Sequence, residues 1–247
     1  TYLMIKVLIP AYNESKNIKS CLFAINKVLK ANKLPHKFLI IDDGSQDNTL
    51  EILKQIKKEL NLDIIEHKVN KGVAAAFSSG LAAVNKKLSD GDIIVITEAD
   101  GTSDPKILPQ MIERIKKGAD IVIASRYKKG GKYKNFPTKR LFFSRSANLV
   151  CRVLYPLKSV RDYTIFYRAY SANVIKKSIK IYKSNLIKTK FFTANAEILI
   201  KMMKITKKIE EVAFVYDYSK KKGKSGLKIG KNLVQYAKLI RNSFLNS

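Results

Sequence analysis

The sequence predicts an α/β fold in which a mostly parallel sheet is covered by helices on both faces. Two observations carry this. Through residues 4–125, short continuous apolar runs of strand length alternate with segments whose apolar residues recur at helical spacing. Three of those runs end directly in acidic loops, at Asn13-Glu14, at Asp42-Asp43 and at Glu98 and Asp100. Continuous rather than alternating apolar runs mark strands buried on both faces, the condition of a parallel sheet between helical layers.

Residues 4–9 form the first expected strand, ended by Pro10. Ile18, Leu22, Ile25 and Leu29 then fall on one helical stripe. Residues 38–41 are a second strand, ended by Asp42-Asp43-Gly44, and a helix over 48–60 follows with Asp47 as its N-cap. Residues 63–66 make a third, weaker strand, and the small-residue-rich stretch 72–88 is helical. Residues 92–97 form a fourth strand that runs into Glu98-Ala99-Asp100-Gly101. Pro105 opens a helix to Lys117, and residues 120–125 are a fifth strand. The second half is less regular. Residues 128–134 read as a Gly/Lys-rich loop, 138–154 as a helix carrying Arg140, Ser144, Arg145 and Asn148, and 165–170 as a strand. A helix is expected over 193–203, a strand over 209–216, a flexible basic loop over 219–226 and a basic amphipathic helix over 229–244. No internal repeat or linker is visible, so the expected organisation is one domain over 1–227 followed by the basic helix over 228–247.

Composition bounds the class. With 46% apolar residues in 247, the chain can bury a full core, which excludes a disordered protein. Its 48 Lys and Arg against 20 Asp and Glu give a formal charge of +28, which draws it to nucleic acid, acidic lipid or phosphorylated substrates. Abundant Lys, Asn and Ile with no Trp fit genome-wide bias equally well, so only clustered charges carry information. Cys21 and Cys151 lie far apart in apolar-patterned segments and read as core, while His36 and His67 stand alone. Neither a zinc site nor a disulfide framework is readable, which fits a reducing compartment. No run reaches the ~18 apolar residues of a membrane span. The run over 3–9 is interrupted by Lys6 and too short for a signal peptide core. A soluble or peripheral protein is expected.

In an open parallel sheet the ligand crevice lies at the carboxyl ends of the strands. The three acidic loops therefore share one rim, where carboxylates repel unless positive charge or hydrogen-bond donors sit among them. A divalent cation would meet that need, as would the N–H groups of a base and the hydroxyls of a ribose. Glu98 and Asp100 are two apart in an extended turn and point the same way. Hard oxygen ligands of this kind suit Mg²⁺ or Mn²⁺. Taken as three bare residues, Glu98-Ala99-Asp100 is as readily a solvated turn; its place after the fourth strand favours the metal. Pro10 is also a plain strand terminator, Glu14 a first-turn helix residue, and Lys71-Gly72 either a phosphate-facing helix start or a turn.

Pro10-Ala11-Tyr12-Asn13-Glu14, the block from Asp42 through Asp43-Gly44-Ser45 to Thr49, and Glu98-Ala99-Asp100 resemble, in that order, the donor-site motifs of family 2 glycosyltransferases with the GT-A fold. Ser125-Arg126-Tyr127, Ser144-Arg145-Ser146-Ala147-Asn148, and Asp162-Tyr163-Thr164 leading to Arg168-Ala169-Tyr170 are similar to the dolichyl- and polyprenyl-phosphate mannosyl- or glucosyltransferase branch. The resemblance spans residues 4–227. It implies that Asp42 meets the base or ribose, that Pro10, Tyr12 and Glu14 wall the base pocket, and that Glu98, Ala99 and Asp100 flank the diphosphate with Mg²⁺ or Mn²⁺. Lys220 stands where the family often has Arg over the diphosphate, Gly226 where it often has Lys, and Glu98 where Asp is usual. Arg126, Arg140 and Ser144 match positions that hold the acceptor phosphate, and Arg140 and Ser144 share a helix face.

The implied reaction is an inverting, metal-dependent transfer of mannose or glucose from a GDP- or UDP-sugar to a polyprenyl phosphate, by a protein peripheral to the cytoplasmic membrane face. Asp100, Arg126 and Asp162 are the implied catalytic residues. An ionised phosphate needs little base catalysis, whereas a hydroxyl acceptor on a glycan or lipid would need a carboxylate base. Asp162 is the first candidate for that base and Glu197 the second; each is alternatively a structural partner of Arg168 or Arg161. Without Trp the processive Q-x-x-R-W motif is impossible, so single additions are expected. A non-catalytic basic protein bound to membrane or nucleic acid is the rival from another class; the acidic rim speaks against nucleic acid. The C-terminal stripe Ile229, Leu233, Tyr236, Ala237 and Ile240 suits a membrane surface, the domain itself, a second subunit or a membrane-protein partner.

Overall fold

The computed structural model describes residues 3–223 and 229–245. Its elements run β1 (Ile5–Ala11), α1 (Ile18–Ala31), β2 (His36–Asp42), α2 (Thr49–Ile56), β3 (Leu62–Glu66), α3 (Val73–Lys86), β4 (Ile93–Ile96), α4 (Leu108–Lys116), β5 (Ile121–Ser125), β6 (Lys132–Lys134), α5 (Thr138–Leu154), β7 (Arg168–Ser171), α6 (Ala172–Tyr182), α7 (Thr193–Met203), β8 (Ile209–Ala213), β9 (Val215–Asp217) and α8 (Ile229–Leu245). Seven strands form one sheet in the order β3-β2-β1-β4-β7-β5-β8. β7 alone runs antiparallel to its neighbours β4 and β5.

The apolar runs explain the sheet. Ile93 to Ile96 are all buried, as are Ile5, Val7, Leu8 and Ile9, so these strands have no solvent face. α1 buries Ile18, Cys21, Leu22, Ile25 and Leu29, the stripe read from the sequence. α3 lies close on β1 and β2 because Gly80 has no side chain: a Cβ there would collide with Leu8 and Ile41. Buried helices and strands form one continuous core.

Strand order reverses beside β1, between β1 and β4, and this switch point fixes where a ligand binds. The loops after β1 and β4 open there side by side, since Leu8 pairs with Ile96 and Ala11 with Asp42. The antiparallel β7 completes the rim. Arg168 pairs with Ile96, so the chain leading into β7, residues 162–167, reaches the same edge.

Several expectations are corrected. The helix over 48–60 stops at Ile56, and its formal cap is Asn48. Asp47 still serves it, accepting from the Thr49 amide at 3.0 Å and from the Ser15 amide at 3.1 Å. Residues 128–134 are not all loop, because β6 pairs in parallel with β9 in a small second sheet. The strand over 209–216 splits into β8 and β9, which belong to different sheets. Only Arg168–Ser171 pairs within the expected strand over 165–170. The helix α6, capped where Ser171 Oγ accepts from the Val174 amide, was not anticipated.

α8 packs on α5 and α7, with Tyr236 edge-on to Phe143 at a ring separation of 6.2 Å. Its inward stripe differs from the expected apolar one. Asn232 Oδ1 accepts from the Phe192 amide at 3.1 Å and Gln235 Oε1 from the Lys190 amide at 3.0 Å, with Leu239 buried beside them. Leu233 and Val234 face outward instead. The side chain of Ile229 lies outside the described residues. Among the described residues no helix is long and apolar enough to cross a membrane.

Candidate active site

The loops after β1 and β2 are laced together at the rim. Asn13, in the left-handed region at φ 54°, donates its amide to Ser45 Oγ at 3.0 Å and accepts from the Gln46 amide at 2.8 Å. The Glu14 amide donates to Thr49 Oγ1 at 2.8 Å. This holds Pro10, Ala11, Tyr12 and Glu14 along one wall of a cavity of about 520 Å³. The Tyr12 ring is 41% exposed, an open stacking face.

Asp42 and Asp43 separate in role. Asp42 is buried and does not line the cavity; its Oδ2 accepts from the Ser45 amide at 3.3 Å, and its buried Oδ1 has no partner among the described residues. An unpaired buried carboxylate oxygen is costly, so it fits a donor supplied by a ligand. Asp43 lines the cavity and is fully engaged. It accepts from His67 Nδ1 at 2.7 Å and from the amides of Lys71 and Gly72 at 3.0 and 2.7 Å. Those amides are therefore not open to a phosphate, and Lys71-Gly72 is a turn. Gly44 lets the Asp42-Asp43 corner close: at φ 70°, any Cβ would lie 2.5 Å from the Val69 carbonyl carbon.

The acidic centre is built on Asp100. Its Oδ1 accepts from the Thr102 amide at 3.1 Å and from Thr102 Oγ1 at 2.6 Å. Its Oδ2 accepts from Lys221 Nζ at 2.7 Å, and that ammonium lies 3.7 Å from Glu14 Oε1. Lys221 thus supplies the positive charge that the rim requires. Lys220, the residue singled out from the sequence, is exposed, and among the described residues no polar contact ties it to this centre. Its successor points inward because Asn17 pins the segment, donating to the Lys222 carbonyl at 2.7 Å and accepting its amide at 3.3 Å. Lys224, Ser225 and Gly226 lie outside the described residues.

Burial raises Glu14 above the usual carboxylate range despite a hydrogen bond from Asn17. Burial, with Asp100 beside it, pushes Glu98 up to about 8. Burial alone would lower the Lys221 ammonium, but Asp100 and Glu14 hold it above its ordinary value. These groups share too few cations. Among the described residues no three acidic, His or Cys side chains converge as a ready metal cage. The chemistry of the set still fits Mg²⁺ or Mn²⁺, which are commonly held by one or two carboxylates plus substrate phosphates. Asp100, already closed on one cation, and Glu98 are the residues that would hold it.

The same cavity carries the basic groups Arg126 and Arg140. Arg126 forms a two-pronged pair with Asp162, Nε to Oδ2 at 2.8 Å and Nη2 to Oδ1 at 2.7 Å, and also donates to Thr164 Oγ1 at 2.7 Å. Its guanidinium carbon sits 4.9 Å from the centre of the Tyr133 ring. Asp162 further accepts from the amides of Arg126, Thr164 and Ile165. Both its oxygens are engaged and the residue has no exposed surface. Burial would raise its pKa, but Arg126 holds it below the usual carboxylate range. In this geometry Asp162 is placed to hold Arg126 and does not line the cavity. Glu197 is likewise structural, accepting from the Lys188 and Thr189 amides at 2.9 and 2.7 Å and pairing with Lys201. Neither pairs with Arg168 or Arg161 as the alternative supposed. Arg168 bonds the Asn195 and Tyr163 carbonyls, and the Arg161 amide donates to Glu211.

Arg140 and Ser144, one turn apart on α5, both line the cavity. Arg140 Nη1 donates to Tyr218 Oη at 2.8 Å. Ser144 Oγ lies 2.9 Å from Tyr133 Oη, which in turn lies 2.9 Å from Tyr127 Oη. Tyr133 was not legible from the sequence; β6 brings it under Arg126 and beside Ser144 at once. The cavity is also lined by the aromatic side chains Phe136, Phe143, Phe166, Phe192 and Tyr236.

The model of the family described as Glycosyl transferase family 2 matches residues 6–179. The chain is 30% identical over 243 residues to the dolichol-phosphate mannosyltransferase of Pyrococcus furiosus, an alignment covering 96% of this chain and 62% of that protein. It is 33% identical over 174 residues to the polyprenol monophosphomannose synthase of Mycolicibacterium smegmatis, covering 69% of this chain and 63% of that one. The chain thus spans less than two thirds of the length of either relative. Among solved structures, glucosyl-3-phosphoglycerate synthase from Mycobacterium tuberculosis in complex with Mn²⁺ and UDP-glucose superposes with a TM-score of 0.64 at 18% identity, over 96% of this chain and 76% of that one. S. aureus TarS in complex with UDP-GlcNAc gives 0.62 at 16% identity, over 98% and 67%. The fold is the GT-A fold. Its switch-point crevice, the order of its acidic and basic motifs along the chain and the extent of the family match agree, and the chain belongs to glycosyl transferase family 2.

Proposed function

We propose that the protein transfers a single hexose, mannose or glucose, from a GDP- or UDP-sugar to a polyprenyl phosphate, with inversion, at the cytoplasmic face of a membrane. One observation carries the reading. A single cavity is lined by the acidic groups Glu14, Glu98 and Asp100, by the polar and basic groups Arg126, Arg140 and Ser144, and by aromatic side chains. A nucleotide diphosphate with its cation, an ionised phosphate and a lipid tail need those three kinds of surface within one cavity.

Asp42, with its unpaired Oδ1, receives the base or ribose of the donor, and Pro10, Tyr12 and Glu14 wall the base. Asp100 and Glu98 hold Mg²⁺ or Mn²⁺ against the diphosphate; when bound, the cation supplies Lewis-acid stabilisation of the leaving group. Arg126, Arg140 and Ser144 bind the acceptor phosphate, Arg126 as a rigid fork aimed by Asp162. An acceptor already ionised needs positioning and charge stabilisation more than proton removal. The engagement of both Asp162 oxygens therefore favours phosphate over a hydroxyl acceptor.

The outward faces of α5 and α8 support peripheral membrane binding. Phe142, Leu149 and Val153 on α5 and Leu233 and Val234 on α8 are exposed, with Lys139, Arg145, Arg152, Lys238 and Arg241 around them. Basic residues near an anionic bilayer contribute about 1 kcal/mol each. The two cysteines, both buried and free, fit a reducing compartment.

The test is a panel of GDP- and UDP-linked sugars with Mn²⁺, offered polyprenyl phosphate and, separately, a glycan acceptor. Lipid-linked product from one donor is the expected outcome. No turnover with any donor, together with no metal-dependent nucleotide binding, would sink the proposal.

A further inference from the structure

Lys221 reaches the acidic centre from a segment whose own sequence gives no reason to bury it. Its neighbours Lys220 and Lys222 are exposed, yet its side chain is only 10% exposed and its ammonium meets Asp100 Oδ2 at 2.7 Å. Asn17 couples the parts. One side-chain amide nitrogen bonds both Glu14 Oε2 and the Lys222 carbonyl, each at 2.7 Å, so the residue that orients one carboxylate also fixes the backbone delivering the cation.

That position is a place for positive charge. Asp100, Glu98 and Glu14 line one cavity, and carboxylates gathered out of water are unfavourable without a counter-charge. Lys221 Nζ answers Asp100 and Glu14 at once. An ammonium and a divalent cation cannot both close on Asp100 Oδ2, because they would occupy the same space and repel.

We propose that Lys221 is an internal stand-in for the divalent cation: its ammonium holds Asp100 in the donor-free protein and leaves it for the nucleotide diphosphate when metal and donor bind. The inference rests on the metal-dependent reading above. It has a thermodynamic signature. Metal alone binds against an existing ion pair, whereas metal with a diphosphate gives the displaced ammonium a new partner. Each ligand therefore strengthens the other, and by reciprocity the coupling is the same from either side.

The experiment is a Mn²⁺ titration of the full chain, read as the loss of the free Mn²⁺ electron paramagnetic resonance signal, without nucleotide and with UDP or GDP. Wild type, Lys221→Met and Lys221→Arg are compared, each checked by its melting curve. Lys221→Met should bind Mn²⁺ alone about five- to tenfold more tightly than wild type, the low end of ordinary coupling between sites. The tightening of Mn²⁺ by nucleotide should be correspondingly smaller in Lys221→Met, and Lys221→Arg should behave as wild type. A folded Lys221→Met with unchanged or weaker Mn²⁺ binding would overturn the inference alone. Wild-type Mn²⁺ affinity that UDP and GDP leave unchanged would overturn it too, even if Lys221→Met failed to fold. No Mn²⁺ binding by any variant, with or without nucleotide, would overturn both the inference and the metal-dependent reading. Sugar turnover in the same preparations reports separately on the transferase itself.

Discussion

Arg126 and Asp162 meet fork to fork, with two near-parallel contacts of 2.8 and 2.7 Å, and Asp162 is wholly enclosed. The pair joins the end of β5 to the segment entering β7 and aims one guanidinium into the cavity. Asp162 accepts on both oxygens from Arg126 and from the amides of its own loop, and it does not line the cavity.

Asp162→Asn tests that role. The substitution keeps the shape but leaves Arg126 without its charge partner, and breaking a buried pair costs about 3–5 kcal/mol. We expect kcat/KM to fall about a hundredfold, the scale of a displaced binding group, with the acceptor KM raised. The pH dependence of the residual activity should keep its acidic limb, as measured by initial rates across pH. Loss of that limb would restore Asp162 as a base.

The same pair predicts an acid-stability signature. Asp162 is held below its ordinary value in the folded chain. Its contribution is therefore fully present above the unfolded value of about 3.9 and is lost as pH falls through the lower folded value. Melting curves from neutral pH downward should show a constant gap between wild type and Asp162→Asn until about pH 4, then a narrowing one. A gap that narrows near neutral pH would contradict this.

Tyr133→Phe isolates the hydroxyl chain. It removes the contacts to Ser144 and Tyr127 while keeping the ring under Arg126. Two lost hydrogen bonds, each of about 0.5–1.5 kcal/mol, should raise the acceptor KM severalfold and leave nucleotide binding unchanged. An effect confined to the donor would place Tyr133 elsewhere in the mechanism.

Phe142→Glu combined with Leu233→Glu tests the membrane face. Neither side chain lines the cavity. Each large apolar side chain withheld from the bilayer forfeits about 1.5–3 kcal/mol, so cosedimentation with anionic vesicles should drop more than tenfold. Nucleotide binding should be unchanged. Undiminished vesicle binding would remove α5 and α8 as the contact.

The first five strands and the acidic rim were legible because each depends on a local signal, a buried apolar run followed by Asn13-Glu14, Asp42-Asp43 or Glu98-Ala99-Asp100. What stayed hidden depends on distant partners. Choosing Lys221 over Lys220 rests on Asn17, more than two hundred residues away in sequence. The inward stripe of α8 uses Asn232 and Gln235 because two loop amides, at Phe192 and Lys190, need acceptors, and a hydrophobic pattern cannot reveal such a need. The strand β6 is three residues long and exists through its pairing with β9. Asp162 is legible from its motif, but its two-pronged pairing with Arg126 is not.

The antiparallel strand β7 has a consequence for how such a protein diversifies. Proposed donor groups at the ends of β1, β2 and β4 lie on one side of it, and Arg126 at the end of β5 lies on the other. On the proposed roles, sugar choice and acceptor choice would lie in separate stretches of chain, before Gly101 and after Ser125, with Lys221 the late exception. Exchanging the segment over 126–166 between homologues should transplant acceptor preference while the nucleotide preference stays with the host, and a chimera that changed both together would show that the two halves are not independently heritable.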